Sequence, residues 1–149
     1  NITEAVNQFI EETTIVEGIL TVQTEHTTCS VLFEEMVHDF DIKGDELLQV
    51  DLNKGLEKLF PNQTSNDGYY RYPGPEHLRL AETNQAFIDD PSIMLNGPAH
   101  LKATMLGASQ TFVIKKCRIQ TGRCGDIYFA DFDYCRPRSR KVHMCALGE

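Results

Sequence analysis

Leu48, Leu52, Leu56 and Leu59 draw one stripe through residues 45–60 at the three- and four-residue steps of an α-helix, and Pro61 stops it. A helix with one apolar face needs a second layer to bury that face against. The sequence offers that layer in strand-like segments. ILTVQT, residues 19–24, alternates apolar and hydroxyl side chains as a half-buried strand does, and Thr28 to Phe33 is β-rich. An earlier helix is expected near Val6, Phe9 and Ile10, with Thr3 as its N-cap and Glu4 beside its N-terminus.

Residues 61–98 lack clear periodicity and are dense in turn formers, as in PNQTSNDGYYRYPGPE, which marks a functional or mobile stretch. Pro98 fits the first turn of a helix through AHLKATMLG, with Gly107 as its stop. The remainder reads as strands: TFVIKKC, then IYFADFD after a turn at Thr121-Gly122, then RSRKVHMCAL. Helices in the first two-thirds and strands afterwards favour an α+β fold over a doubly wound sheet.

A chain of 149 residues is long enough to bury a core as one domain spanning 1–149. No apolar run approaches the roughly 20 residues that cross a bilayer, so no membrane partner is expected. Five cysteines, an odd number without a C-x-x-C pair, argue against a disulfide framework and a zinc ribbon. Reduced thiols and a cytoplasmic location are the simpler expectation. Residues 1–67 carry 14 acidic and 3 basic side chains, whereas 68–149 carry 8 and 11. The acidic half would repel a phosphate backbone, which excludes a dedicated nucleic-acid binder, while the basic half can hold a small anion.

The five histidines, 26, 38, 77, 100 and 143, form no H-x-x-x-H or H-E-x-x-H pair. There is no Walker loop, G-x-G-x-x-G or G-x-S-x-G either, so a site must be assembled from distant segments. His26 ends the first strand, in TEHTTCSVLFEE. His100 lies in the first turn of its helix, where the dipole disfavours an imidazolium and a neutral ring can offer a lone pair. From the residues alone, each reads first as a polar residue at an element end, bonded to backbone or water. Lys102, about 200° round the helix from His100, cannot face the same pocket. His38 and His143 read as exposed, Cys29 as core packing, and Cys124 as the thiol in a turn.

EHTTCSVLFEE, AHLKATMLGASQTFVI and RIQTG followed by IYF, in this order, resemble the YjbQ family, also named secondary thiamine-phosphate synthase after a weak activity. The resemblance covers nearly the whole chain except residues 73–95, which look like an insertion loop. It implies an α+β fold, a mixed sheet or sandwich flanked by two or three helices, assembled as a homotrimer. It also implies a histidine-lined pocket with a divalent metal, zinc or magnesium. His26 and His100 fall on two family histidines. Where the family has a third, in a Tyr-x-His pattern, this sequence has Tyr72, and His77 is either its substitute or an exposed loop residue.

Further expectations follow from that resemblance. Glu35 matches the one retained residue of the family's N-E-N and is a candidate general base, or else a solvated acid. Thr27 and Thr28 can orient His26 or a substrate oxygen, or serve as strand formers. Arg138 and Arg140, alternating on one strand face, can clamp a phosphate or protect an edge strand. Arg123-Cys124-Gly125-Asp126 replaces the family's T-W-Q-G, and the strand that usually precedes the first helix is not in this sequence. Two functions stay open. One is an enzyme joining a pyrimidine diphosphate to a thiazole phosphate with release of pyrophosphate. The other is a non-catalytic module binding a metal or a small phosphorylated molecule.

Overall fold

The computed structural model describes residues 1–65 and 67–149. Helix α1 (Thr3–Glu11) leads into strands β1 (Glu17–Thr24) and β2 (Cys29–Glu35). Helix α2 (Leu47–Leu59) follows, then α3 (Pro75–Ala81), α4 (Gln85–Asp89), a 3-10 turn at Pro91–Met94, and α5 (Gly97–Leu106). Strands β3 (Ser109–Lys115), β4 (Arg118–Ile119), β5 (Gly125–Asp131) and β6 (Val142–Gly148) complete the chain. The strands form a four-stranded sheet in the order β4-β3-β1-β6 and a two-stranded sheet, β2-β5. The fold is α+β, as expected. Every pairing among the described strands is antiparallel, so the sheet is not mixed.

The alternation in β1 decides which face is core. Leu20, Val22 and Thr24 point inward and are buried, and their neighbours Ile19, Thr21 and Gln23 face out. Val6 and Ile10 of α1 close over Leu20, Val22, Val31, Phe112, Ile114, Ile119 and Ile127 to form one cluster. Each of these side chains contributes roughly 1.5–3 kcal/mol by leaving water, so this cluster dominates the stability of the chain. Among the described residues no helix is long and apolar enough to cross a membrane.

Several expectations need correction. Ile2, not Thr3, is the N-cap of α1. The Thr3 hydroxyl instead accepts the Ile127 N–H at 2.8 Å and donates to Asp126, tying the helix to β5. The leucine stripe does form α2, yet only Leu56 on it is buried, with Leu48 40% and Leu59 57% exposed. Residues 73–95 are not a structureless loop. Pro75 and Pro91 each sit in the first turn of a helical segment, where a missing N–H breaks no bond. Segment 138–141 lies outside β6, so Arg138 and Arg140 do not share a strand face.

Two glycines show where backbone approach is tight and where it is not. A Cβ on Gly18 would stand 2.1 Å from the Leu147 carbonyl oxygen across the β1–β6 ladder, while one on Gly55 in α2 meets nothing within 4 Å. Gly18→Ala is expected to lower stability by about 3 kcal/mol, because backbone cannot yield as a side chain can. Gly55→Ala is expected to raise it by about 0.8 kcal/mol. Chemical denaturation of the two variants checks both signs.

Candidate functional site

Three stretches of chain meet at the end of the β2–β5 pair. Cys29, the first residue of β2, is opposite Asp131, the last of β5. The β1–β2 loop brings His26, Thr27 and Thr28 to this end, and the segment before β6 brings Arg138, Arg140 and Lys141. Arg140 grips Asp131 with two hydrogen bonds, Nε to Oδ2 at 2.6 Å and Nη2 to Oδ1 at 3.0 Å, and Nη2 also donates to the Thr28 hydroxyl at 3.1 Å. Arg138 pairs with Asp133, whose side chain is wholly buried. Asn96, at the start of α5, also donates to Asp133, at 3.4 Å.

This geometry revises four expectations. The two arginines are not a free phosphate clamp, because two carboxylates already neutralise them. Thr28 is buried and serves Arg140 rather than a substrate. His26 accepts the Lys141 backbone N–H on Nε2 at 2.9 Å, which spends the lone pair a neutral imidazole would give a metal. Glu35 stands opposite Gly125 at the far end of β2, about 20 Å along the strand from Cys29. It borders a separate depression with Phe33, Thr121 and Cys124, not the histidines.

His100 does reach the β1–β2 loop. Its half-buried ring lies against the backbone of Thr27, with His77 and Arg138 near enough to act on its charge. Burial holds its pKa below the ordinary histidine value, against the Thr27 carbonyl, and the nearby His77 and Arg138 lower it further. Tyr72 stands between two imidazoles, its ring centroid 4.8 Å from that of His77 and 6.0 Å from that of His100. Its hydroxyl shares a hydrogen bond of 2.8 Å with His77 Nε2, and burial raises its pKa, so the phenol stays neutral. Tyr70, Arg71, Tyr72, Gly97, His100 and Leu101 line a cleft of about 400 Å³ here. A wider depression of about 830 Å³ along α1 has polar and acidic walls with no histidine, and we place no site there.

The expected metal set of His26, His100 and His77 does not fit this arrangement. His26 is committed to Lys141 and His77 to Tyr72. Among the described residues, no group of three or more His, Cys, Asp or Glu side chains is placed to hold a metal ion. Sequence reasoning had Tyr72 only as a lost histidine, and it overlooked Arg71. Lys102, His143 and Cys29 lie as the sequence suggested. Lys102 turns away to Glu57 and Asn62, at 2.8 and 2.9 Å, and exposed His143 meets Glu25. Cys29 is buried and its thiol is pushed up to about 11 by burial first and Asp131 second, which makes it inert packing.

The model of the family described as UPF0047 protein YjbQ-like matches residues 1–149. The chain belongs to this family. It is 30% identical over 147 residues to a UPF0047 protein of Archaeoglobus fulgidus, covering 99% of this chain and 89% of that one. To UPF0047 protein YugU of Bacillus subtilis it is 28% identical over 148 residues, covering 99% and 88%. Among solved structures, a YjbQ/UPF0047 protein of Clostridium acetobutylicum superposes with a TM-score of 0.70 at 25% identity, covering 99% of this chain and 88% of that one. A protein of Sulfolobus solfataricus described as YbjQ-like and of unknown function shares the fold, with a TM-score of 0.69 at 24% identity over 100% and 86% of the two chains. For this YjbQ-family chain, then, the cleft must be read from its own residues, above all Tyr72.

Two outcomes test the site. Arg140→Ala strands Asp131 and Thr28, and is expected to cost roughly 2–3 kcal/mol in denaturant unfolding, the low side of a broken buried pair because Asp131 keeps some water. His100 has a folded pKa below its unfolded value, so the unfolded chain binds more protons between the two. Stability is therefore expected to fall as pH drops through about 6.5, and His100→Asn to flatten that slope. A His100 titration above 6.5 by NMR would reverse the sign.

Proposed function

We propose that this YjbQ-family protein binds a small phosphorylated molecule in the cleft between Tyr72 and His100. The observation that carries the reading is the division of charge around it. Asp131 and Asp133 are taken by Arg140 and Arg138, while Arg71, exposed at the cleft wall, makes no ion pair with the described residues. One uncommitted guanidinium over a neutral imidazole and a neutral phenol suits an anionic ligand with an apolar body. Binding without metal is the form the residues support.

A second reading is favoured by the Tyr72–His77 hydrogen bond, which can pass a proton to a leaving group. It is the thiamine-phosphate synthase type of condensation that the family resemblance suggests, with pyrophosphate expelled. We also propose assembly as a closed homotrimer and a cytoplasmic location. Assembly is supported by a row of side chains on the outer face of the four-stranded sheet: Val113, Ile19 and Leu147 lie side by side in register and are 56%, 45% and 64% exposed.

Calorimetric titration with inorganic pyrophosphate is expected to show binding that Arg71→Ala weakens about tenfold. Absence of binding at millimolar pyrophosphate contradicts the proposal. Release of pyrophosphate from the two thiamine precursors, lost in Tyr72→Phe, would decide for the enzyme. Light scattering is expected to give three times the chain mass, and a stable monomer at micromolar concentration overturns the trimer.

A further inference from the structure

Strand β5 turns Ile127 into the core, so its neighbour Tyr128 points to the opposite face, where α2 begins. Tyr128 is only 5% exposed, yet its hydroxyl has no hydrogen-bond partner among the described residues. A buried hydroxyl is costly to leave unpaired, and each such group calls for a cause. The tyrosine lines a depression of about 410 Å³ whose walls include Phe40, Asp45, Glu46, Gln49 and Val50. This depression shares no lining residue with the cleft between Tyr72 and His100.

The charge around the hydroxyl is one-sided. Burial and then Glu46 raise its pKa to about 12, and Asp126 and Glu34 act in the same direction. Asp45, Glu46, Glu34 and Asp126 make no ion pair among the described residues. Glu34 accepts instead from the neutral Gln49 amide at 2.6 Å, and Asp126 from the Asn1 amide at 2.8 Å. Among the described residues no Lys, Arg or His side chain lines the space, and its carboxylates are not grouped as a metal site. Phe40, 55% exposed, and Val50 add an apolar wall.

We infer that this depression binds a linear alkyl diamine, with one ammonium donating to the Tyr128 hydroxyl and the Glu46 carboxylate and the methylene chain along Phe40 and Val50. An ammonium has three donors and no acceptor, which complements a phenol lone pair and a carboxylate. An aromatic face beside it adds cation–π attraction. A dication answers the combined field of these carboxylates better than a single charge does. Residues 1–67, with 14 acidic against 3 basic side chains, draw such an ion from solution. The volume far exceeds a bare ion and admits a short chain.

The test is calorimetric titration of the intact protein with diaminobutane, and with butanediol, which has the same carbon chain but no charge. The diamine is expected to bind at submillimolar concentration and the diol to show no binding. Tyr128→Phe and Glu46→Gln should each weaken the diamine about tenfold. Glu11→Gln, on α1 outside the depression, should leave its affinity unchanged. The Tyr128→Phe unfolding midpoint should match or exceed wild type, because the hydroxyl has no bond to lose. Absence of diamine binding at millimolar concentration, equal binding of the diol, or undiminished affinity in Tyr128→Phe or Glu46→Gln would each overturn the inference. An equal loss in Glu11→Gln would reduce the effect to general attraction by an acidic surface and overturn it too. So would a lowered Tyr128→Phe midpoint, or tighter binding of magnesium ion than of the diamine.

Discussion

Arg140 holds the functional end of the molecule together. One guanidinium reaches the last residue of β5 and the loop before β2, and it carries the chain that enters β6. His26 closes the same junction from the other side by accepting the Lys141 N–H. The energetic comparison shows what this junction is for. Nine buried side chains in the main cluster contribute roughly 1.5–3 kcal/mol each, several times the 2–3 kcal/mol expected from the ion pair. The core makes the fold stable. The clamp decides where the β1–β2 loop sits.

That placement propagates to the cleft. The Thr27 backbone receives the His100 ring, and Asn96, preceding α5, is drawn to the Arg138–Asp133 pair. Helix α5 is seated on β2 from below as well, where the Ser30 hydroxyl donates to the Ala103 carbonyl at 3.2 Å. His100 thus faces Tyr72 from a rigid element, held neutral by burial. The arginines contribute position and local field, and the cation on the cleft wall without an ion pair to the described residues is Arg71. Chemistry at this site is that of a neutral imidazole, a neutral phenol and a second imidazole behind it.

Much of this fold was legible in the sequence, because local periodicity is a local property. The β1 alternation, the Gly107 stop and the leucine stripe all appear where the pattern put them. What failed was whatever depends on distant partners. The stripe showed a helix but not that most of it would face outward. The prolines at 75 and 91 read as breakers, yet the same fixed φ starts a helix when it falls at the first position. Arg138 and Arg140 looked like a clamp for phosphate because nothing local shows that Asp131 and Asp133 would claim them. Glu35 looked close to His26 by residue count, but an extended strand moves about 3.3 Å per residue and carried it to the other end. Buried Gln63, whose side-chain amide has no hydrogen-bond partner among the described residues, gave no signal, since such a state exists only once the surrounding chain has closed over it.

The claim that the clamp positions the loop is tested most directly by native-state amide hydrogen exchange on wild type and Arg140→Gln. In wild type the Lys141 amide, bonded to His26, and the Phe132 amide, bonded to the Thr28 carbonyl, should be protected nearly as well as the β2–β5 ladder. In the variant both should exchange at open-loop rates while the ladder stays protected. If the two amides keep their protection without Arg140, or lack it in wild type, the loop is placed by something else and the account fails.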